Sequence, residues 1–213
     1  MSNDINRLIS EKTYISQNCE HKHSVIRTKV DYKTWIIYER KKYKSITILD
    51  GFLRLSEDDL IWKYQKRLRK TELYLNSNSK IRYLFSRILL NRMQFSHGMN
   101  IKLNSCGKGL KIMHIGPILT NGDIGEDCSL HVNAMIVSGG TAQQNPVIGK
   151  NVVVGVGAAI VGGVELGNGI AVGANSVVTK SFIENNITIA GVPAKKISDH
   201  GSEVWKKSYI SDQ

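Results

Sequence analysis

Between residues 112 and 180 the apolar positions recur every six residues. From Ile112 the series runs Ile112, Ile118, Ile124, Leu130, Ile136, Ala142, Ile148, Val154, Ile160, Leu166, Val172 and Val178, with a large aliphatic at eleven of the twelve positions. Such residues fill only about a quarter of typical positions, so the row is not a product of composition. Glycine often follows the aliphatic (Gly125, Gly149, Gly155, Gly167, Gly173), and four places after it stand small or β-branched residues: Cys128, Ala134, Val152, Ala158, Val164, Ile170 and Ser176. In this hexapeptide pattern each repeat supplies one short strand and one corner of a triangular prism, and three repeats close a coil. A helix has a period of 3.6 and would lose about 1 kcal/mol at each glycine. A sandwich alternates with period two and breaks at turns. The expected fold is therefore mainly β, a left-handed parallel β-helix.

The one lapse in phase, Ala142, lies in the polar stretch Ser138-Gly139-Gly140-Thr141-Ala142-Gln143-Gln144-Asn145-Pro146. It reads as a loop at 138–146 that takes the place of one hexapeptide. The first half of the chain reads as helical. Ser56 followed by Glu57, Asp58 and Asp59 is an N-cap with acids in the first turn, and Leu60, Ile61, Tyr64 and Leu68 follow at helical spacing. A second helix is predicted from Lys80 to Met93, where Ile81, Leu84, Phe85, Ile88, Leu89 and Met93 share a face that needs a packing partner. An earlier helix is expected near residues 31 to 44, around Trp35 and Ile36. After the repeats, residues 182–196 change phase and predict a strand, a turn and a short tail through Trp205. The organisation is a basic, mostly helical region over 1–97, a β-helix over 98–198, and a C-terminal tail over 199–213.

Charge divides the chain at the same place. Residues 1 to 111 carry 23 Lys and Arg against 10 Asp and Glu, and residues 112 to 213 carry 6 against 8. A basic half of this kind suits nucleic acid, an anionic lipid surface, an acidic glycan or plain solvent. Residues 1–20 lack the apolar core of a signal peptide, and no apolar run is long enough for a spanning helix, so a cytoplasmic protein is expected. Cys19, Cys106 and Cys128 are too scattered for a disulfide framework. The tract Cys19-Glu20-His21-Lys22-His23 has no second ligand pair at zinc spacing, so no metal is expected.

Within the repeats the only histidines are His114 and His131. An imidazole titrating near neutrality is the usual base for taking a proton from a hydroxyl, whereas His21, His23, His97 and His200 read as solvated surface positions. His131 follows Leu130 at a corner, where it either lines a pocket or is an ordinary corner residue.

Two motifs carry a resemblance. Gly191-Val192-Pro193-Ala194-Lys195, after Val172-Gly173-Ala174-Asn175-Ser176-Val177-Val178-Thr179-Lys180, is similar to the closing signature of the hexapeptide acyltransferases. His114-Ile115-Gly116-Pro117-Ile118-Leu119 looks like the serine acetyltransferase-like branch, including its relatives in surface-polysaccharide clusters. The resemblance covers roughly residues 85 to 198. It implies a homotrimer with acetyl-CoA in the groove between adjacent prisms, and His114 as the catalytic base. It also implies donor contacts at Val156, Gly157 and Ala174, where small residues let pantetheine approach the backbone, and at Thr179, Lys180 and Lys195 for the coenzyme phosphates. A lone lysine at either position reads equally as a solvated charge.

The departures matter. Serine acetyltransferases have an aspartate before the catalytic histidine, where this chain has Met113, and a second histidine before the loop-closing proline, where it has Asn145. The expected acceptor is accordingly a sugar hydroxyl of a surface polysaccharide, with His131, Asp123 and Asn145 as acceptor-site candidates. The partner of the His114 ring is open between a backbone carbonyl and a carboxylate such as Asp123. L-serine is the alternative acceptor, and a non-enzymatic β-helical binding module with a basic arm is the alternative of another class. Nucleic acid is not an expected partner, because no aromatic RNA-binding signature, zinc module or helix-turn-helix pattern accompanies the charge. Peripheral contact with a membrane or an anionic glycan through the basic half is.

Overall fold

A computed structural model describes residues 23–43, 56–140 and 144–211. The tract from Cys19 to Lys22 and the centre of the 138–146 loop, Ala142 included, lie outside them. Among the described residues three helices come first: α1 Lys29–Arg40, α2 Glu57–Asn76 and α3 Lys80–His97. Twelve short strands then wind a left-handed parallel β-helix: β1 Met99–Ile101, β2 Lys111–Ile112, β3 Ile118–Thr120, β4 Asp123–Ile124, β5 Ser129–Leu130, β6 Met135–Val137, β7 Val147–Ile148, β8 Val153–Val154, β9 Ala159–Val161, β10 Glu165–Leu166, β11 Ala171–Val172 and β12 Val177–Val178. An antiparallel hairpin follows, β13 Thr188–Gly191 and β14 Ala194–Ser198, and then helix α4 Ser202–Ser211.

The prism has three faces. Face one stacks β2, β5, β8, β11, β13 and β14; face two stacks β1, β3, β6, β9 and β12; face three stacks β4, β7 and β10. All eleven aliphatics of the six-residue row point inward and are at most 3% exposed, and Cys128, Ala134, Val152, Ala158, Ile170 and Ser176 fill the space beside them. Glycine at the corners is a matter of clearance, since a Cβ on Gly149 would stand 2.6 Å from the carbonyl oxygen of Gly167 in the next coil. Side chains in the left-handed region at the turns are Asp127, Asn133, Asn151 and Asn175, residues whose short polar side chains tolerate it.

The register corrects one expectation. Ile124 pairs with Ile148, a separation of 24 residues, whereas Leu130 pairs with Val154 and Ile136 with Ile160 at 24 and Val154 with Val172 at 18. The loop therefore does not replace a rung of the prism. It adds six residues to one coil, and because the addition equals one period the inward positions keep their phase.

The helices close the first coil, whose outer strand edge has no neighbouring coil. Arg69 of α2 is fully buried, donates to Glu39 of α1 at 2.8 Å and to Glu72 at 3.0 Å, and reaches the carbonyls of Cys106 and Gly107 at 2.9 and 2.8 Å. Gln65 donates to Glu39 and to the Leu110 carbonyl, while Glu39 and Glu72 accept from the amides of Gly109 and Asn104. Each buried charge thus meets a counter-charge and a backbone partner that the truncated β-ladder leaves open. Tyr43, Ile61, Trp62, Tyr64, Leu68, Tyr83 and Leu90 pack into the same apolar core as the prism, so no break in packing separates the helical and β regions.

Three further expectations change. The α3 face expected to pack is the outer one: Ile81 is 74% and Phe85 66% exposed, and Tyr83, Ser86 and Leu90 are buried instead. The cause is a close approach to α2 at small polar side chains, where the Ser86 and Thr71 hydroxyls lie 2.7 Å apart. His23 is not solvated. It is 8% exposed, with Nδ1 2.6 Å from Asp123. In place of a short tail, α4 lies on face one: Ser202 donates to the Asn151 carbonyl and Lys206 to the Asp127 carbonyl. Among the described residues no helix is long and apolar enough to cross a membrane.

Candidate active site

Chain order through the prism decides which candidates meet. His114 lies between β2 and β3, His131 between β5 and β6, Val156 and Gly157 between β8 and β9, and Ala174 between β11 and β12. Each is a passage from face one to face two, so these five residues stack along a single edge. Asn145 precedes β7, and Thr179 and Lys180 follow β12, which places all three where the chain leaves face two. Asp123 belongs to face three, and Lys195 to the closing hairpin. A single prism therefore divides most of the predicted site between two edges, with Asp123 and Lys195 apart from both.

His114 leaves the end of β2 and turns at Gly116, whose φ of 149° falls in a range that side chains disfavour. The ring is half exposed and its Nδ1 stands 3.2 Å from a carboxylate oxygen of Glu57. The other oxygen of Glu57 accepts the Ile115 amide at 2.6 Å. Glu57 is the first residue of α2, where the helix dipole favours an anion, and Ser56 before it caps the helix through the Asp59 amide. One carboxylate thus fixes both the ring and the backbone beside it. The sequence reading missed Glu57, and its suggested alternative, Asp123, is paired with His23 on face three.

His131 stands above His114, with ring centroids 6.3 Å apart, and the Trp205 ring from α4 meets it edge-on, with centroids 5.1 Å apart and planes at 78°. Its Nε2 is buried and meets no hydrogen-bond partner among the described residues. Burial, and secondarily the neighbouring His114, push its pKa down to about 4, so the ring is neutral at neutral pH. A neutral imidazole facing a cavity offers an uncharged hydrogen-bonding atom to a ligand.

That cavity measures about 540 Å³ and runs along the outer side of face one under α4. Val156 and Ala174 line it together with Gly155, Gly173, His131 and Trp205. Backbone made accessible by glycine and alanine suits an extended ligand with amide groups. Gly157 follows Val156 in the left-handed region, whereas Thr179, Lys180 and Lys195 are exposed and outside the lining. Lys180 rests over the Phe182 ring. The thiols of Cys106 and Cys128 are buried and pushed up to about 12, unsuited to a nucleophile at neutral pH. Among the described residues no group of acidic, histidine and cysteine side chains is placed to hold a metal.

No family model matches the chain. The serine acetyltransferase of Buchnera aphidicola subsp. Schizaphis graminum is 32% identical over 135 residues, which cover 59% of this chain and 51% of that protein. The chain thus spans about half the length of that relative. A putative lipopolysaccharide biosynthesis O-acetyl transferase of Escherichia coli K12 is 28% identical over 196 residues, covering 75% of this chain and 95% of that protein. Among solved structures, the serine acetyltransferase of Brucella abortus in complex with coenzyme A superposes with a TM-score of 0.57 at 26% identity, over 80% of this chain and 67% of that one. These likenesses match the resemblance to hexapeptide-repeat acyltransferases of the serine acetyltransferase-like branch.

Proposed function

We propose that this chain, similar to the hexapeptide-repeat acyltransferases, moves an acetyl group from acetyl-CoA to a sugar hydroxyl in surface polysaccharide synthesis. The observation that carries the chemistry is the Glu57–His114 pair. A carboxylate on Nδ1 keeps the proton on that nitrogen and leaves Nε2 as the atom that accepts one. His114 takes the acceptor's hydroxyl proton, the oxygen forms the new ester bond, the carbon–sulfur bond of the thioester breaks, and the proton passes to the departing thiolate. The cavity lined by Val156 and Ala174 is the place for the pantetheine arm.

A trimer accounts for the divided site. The outward residues of face two form an apolar column in register, Leu119, Met135, Ala159 and Val177. Burying that face about a threefold axis sets the His114 edge of one copy beside the edge of the next that bears Asn145, Thr179 and Lys180. Asn145 and the phosphate-binding lysine would then serve the neighbour's histidine.

The choice of a sugar over L-serine is supported by the match along nearly the whole length of the lipopolysaccharide O-acetyl transferase, and by Met113 and Asn145 at positions where serine acetyltransferases differ. L-serine is the second reading, supported by the 32% identity to a serine acetyltransferase. Thiol release from acetyl-CoA with L-serine, nucleotide sugars and oligosaccharides separates them, and a clear preference for L-serine overturns the first. H114A is expected to lower turnover by about 100-fold or more. Near-normal turnover in that variant removes His114 from the mechanism.

A further inference from the structure

A second cavity, about 480 Å³, opens on face one on the other side of Trp205. Lys41, Lys42, Lys111 and Lys206 line it, with Tyr38, Ser129 and Asn151. Among the described residues that line it, Asp127 is the only carboxylate, and Lys42 already holds it at 2.6 Å. Asp58 stands at the rim, 3.7 Å from Lys111. Glu57 and Glu203 act on Lys111 and Lys206 from outside the lining, so it is within the lining itself that four lysines face one carboxylate. Burial pushes Lys111 and Lys206 down from the ordinary lysine range and Lys42 presses further on both, a shift that Asp58 and Glu57 at Lys111, and Asp127 and Glu203 at Lys206, offset only in part. Ammonium groups whose charged form burial disfavours on balance are relieved by an anion.

The position of the hollow indicates which anion. Trp205 lines both cavities. The one beyond it runs through Gly155, Gly173 and Ala174 toward the later coils, whereas this one reaches back to β2 and ends at Met113, the residue before His114. A donor stretched along the first leaves the second empty and next to the base.

We propose that this lysine-lined hollow binds a phosphate or carboxylate carried by the acceptor, so that the acceptor class is an anionic sugar, phosphorylated or uronic. The inference rests on the acetyl-transfer reading, and its test is arranged so that the two fail separately. The probe is inorganic phosphate, titrated at low ionic strength by calorimetry and by ³¹P line broadening with the full chain, alone and saturated with coenzyme A. Phosphate is expected to bind in both states. K206Q and K111M are each expected to weaken it about 10-fold, the value of one charge-assisted hydrogen bond. Because Lys111 is the more deeply buried of the two, K206Q carries the conclusion if K111M does not fold.

Absence of binding, or equal binding in K206Q, overturns the proposal. Displacement of phosphate by coenzyme A does so too, since it assigns the hollow to the donor's own phosphates. In the activity arm, matched neutral and anionic sugars are compared. Transfer without preference for the anionic member sinks the hollow's role and leaves the acetyltransferase reading standing, whereas no transfer to any acceptor sinks that reading instead.

Discussion

Replacing Glu57 by glutamine separates the orientation of His114 from its presence. In E57Q an oxygen still accepts the Ile115 amide, but the charge that holds a proton on Nδ1 is gone, and the amide can present its NH₂ group and favour the opposite tautomer. The Glu57 and His114 side chains are 46% and 52% exposed, so solvent screens the pair. Its stability contribution is about 0.2 to 1 kcal/mol, and the thermal midpoint should move by no more than a few degrees. The catalytic effect should be larger. A properly placed general base supplies about 100- to 10,000-fold, and loss of its orientation should forfeit roughly 10- to 100-fold of kcat, with KM for acetyl-CoA nearly unchanged. The assay is release of coenzyme A thiol at saturating donor across a pH series, with E57D as a conservative control. A kcat for E57Q within about twofold of the parent at every pH refutes the positioning role, because a merely structural contact would change stability without changing kcat.

Three further outcomes follow from the geometry. The pKa of His131, about 4 in the fold against an ordinary 6.5, means that the unfolded chain gains a proton the folded chain refuses as pH drops from 6.5 toward 4. Stability should fall across that window by roughly 1 to 2 kcal/mol after allowance for partial solvent access, and the urea midpoint of H131Q should depend less on pH. R69M leaves Glu39 and Glu72 buried without their cation and should cost about 3 to 5 kcal/mol in urea unfolding, whereas a loss below about 1 kcal/mol contradicts the account of the helical cap. M135E places a charge in the apolar column of face two, so light scattering should report monomers together with loss of transfer. A trimer that survives the change puts the subunit contact on another face.

The prism was legible because its signal is periodic: one inward aliphatic every six residues repeats a local steric demand, and each repetition reinforces the last. The edge bearing His114, His131, Val156, Gly157 and Ala174 was implicit in the same period, since residues a whole coil apart must stack. Glu57 was not legible. Acids after Ser56 are fully explained as helix-capping charges, and nothing local shows that one of them reaches residues 114 and 115, more than fifty positions away. The outward face of α3 was misread for a related reason. Apolar spacing identifies a stripe, but the contact between Ser86 and Thr71, two small hydroxyls, decides which side meets α2. The added coil length at 138–146 was hidden by arithmetic, because an insertion of one whole period is invisible to a test that counts in sixes.

The hydrogen-bonded link from α2 to the His114 turn ties the two halves of the chain into one unit. A hexapeptide prism by itself tolerates exchange of coils, since each coil speaks only to its neighbours. Here the histidine on the first coil takes its bearing from a carboxylate on a helix encoded far upstream, so a chimera that joins this prism to a foreign helical region would fold its coils and still misdirect its base. If the chain transfers acetyl groups as proposed, that activity depends on the pairing of helix and prism, and a substitution at either end of the link is expected to misdirect the ring unless the other end answers it.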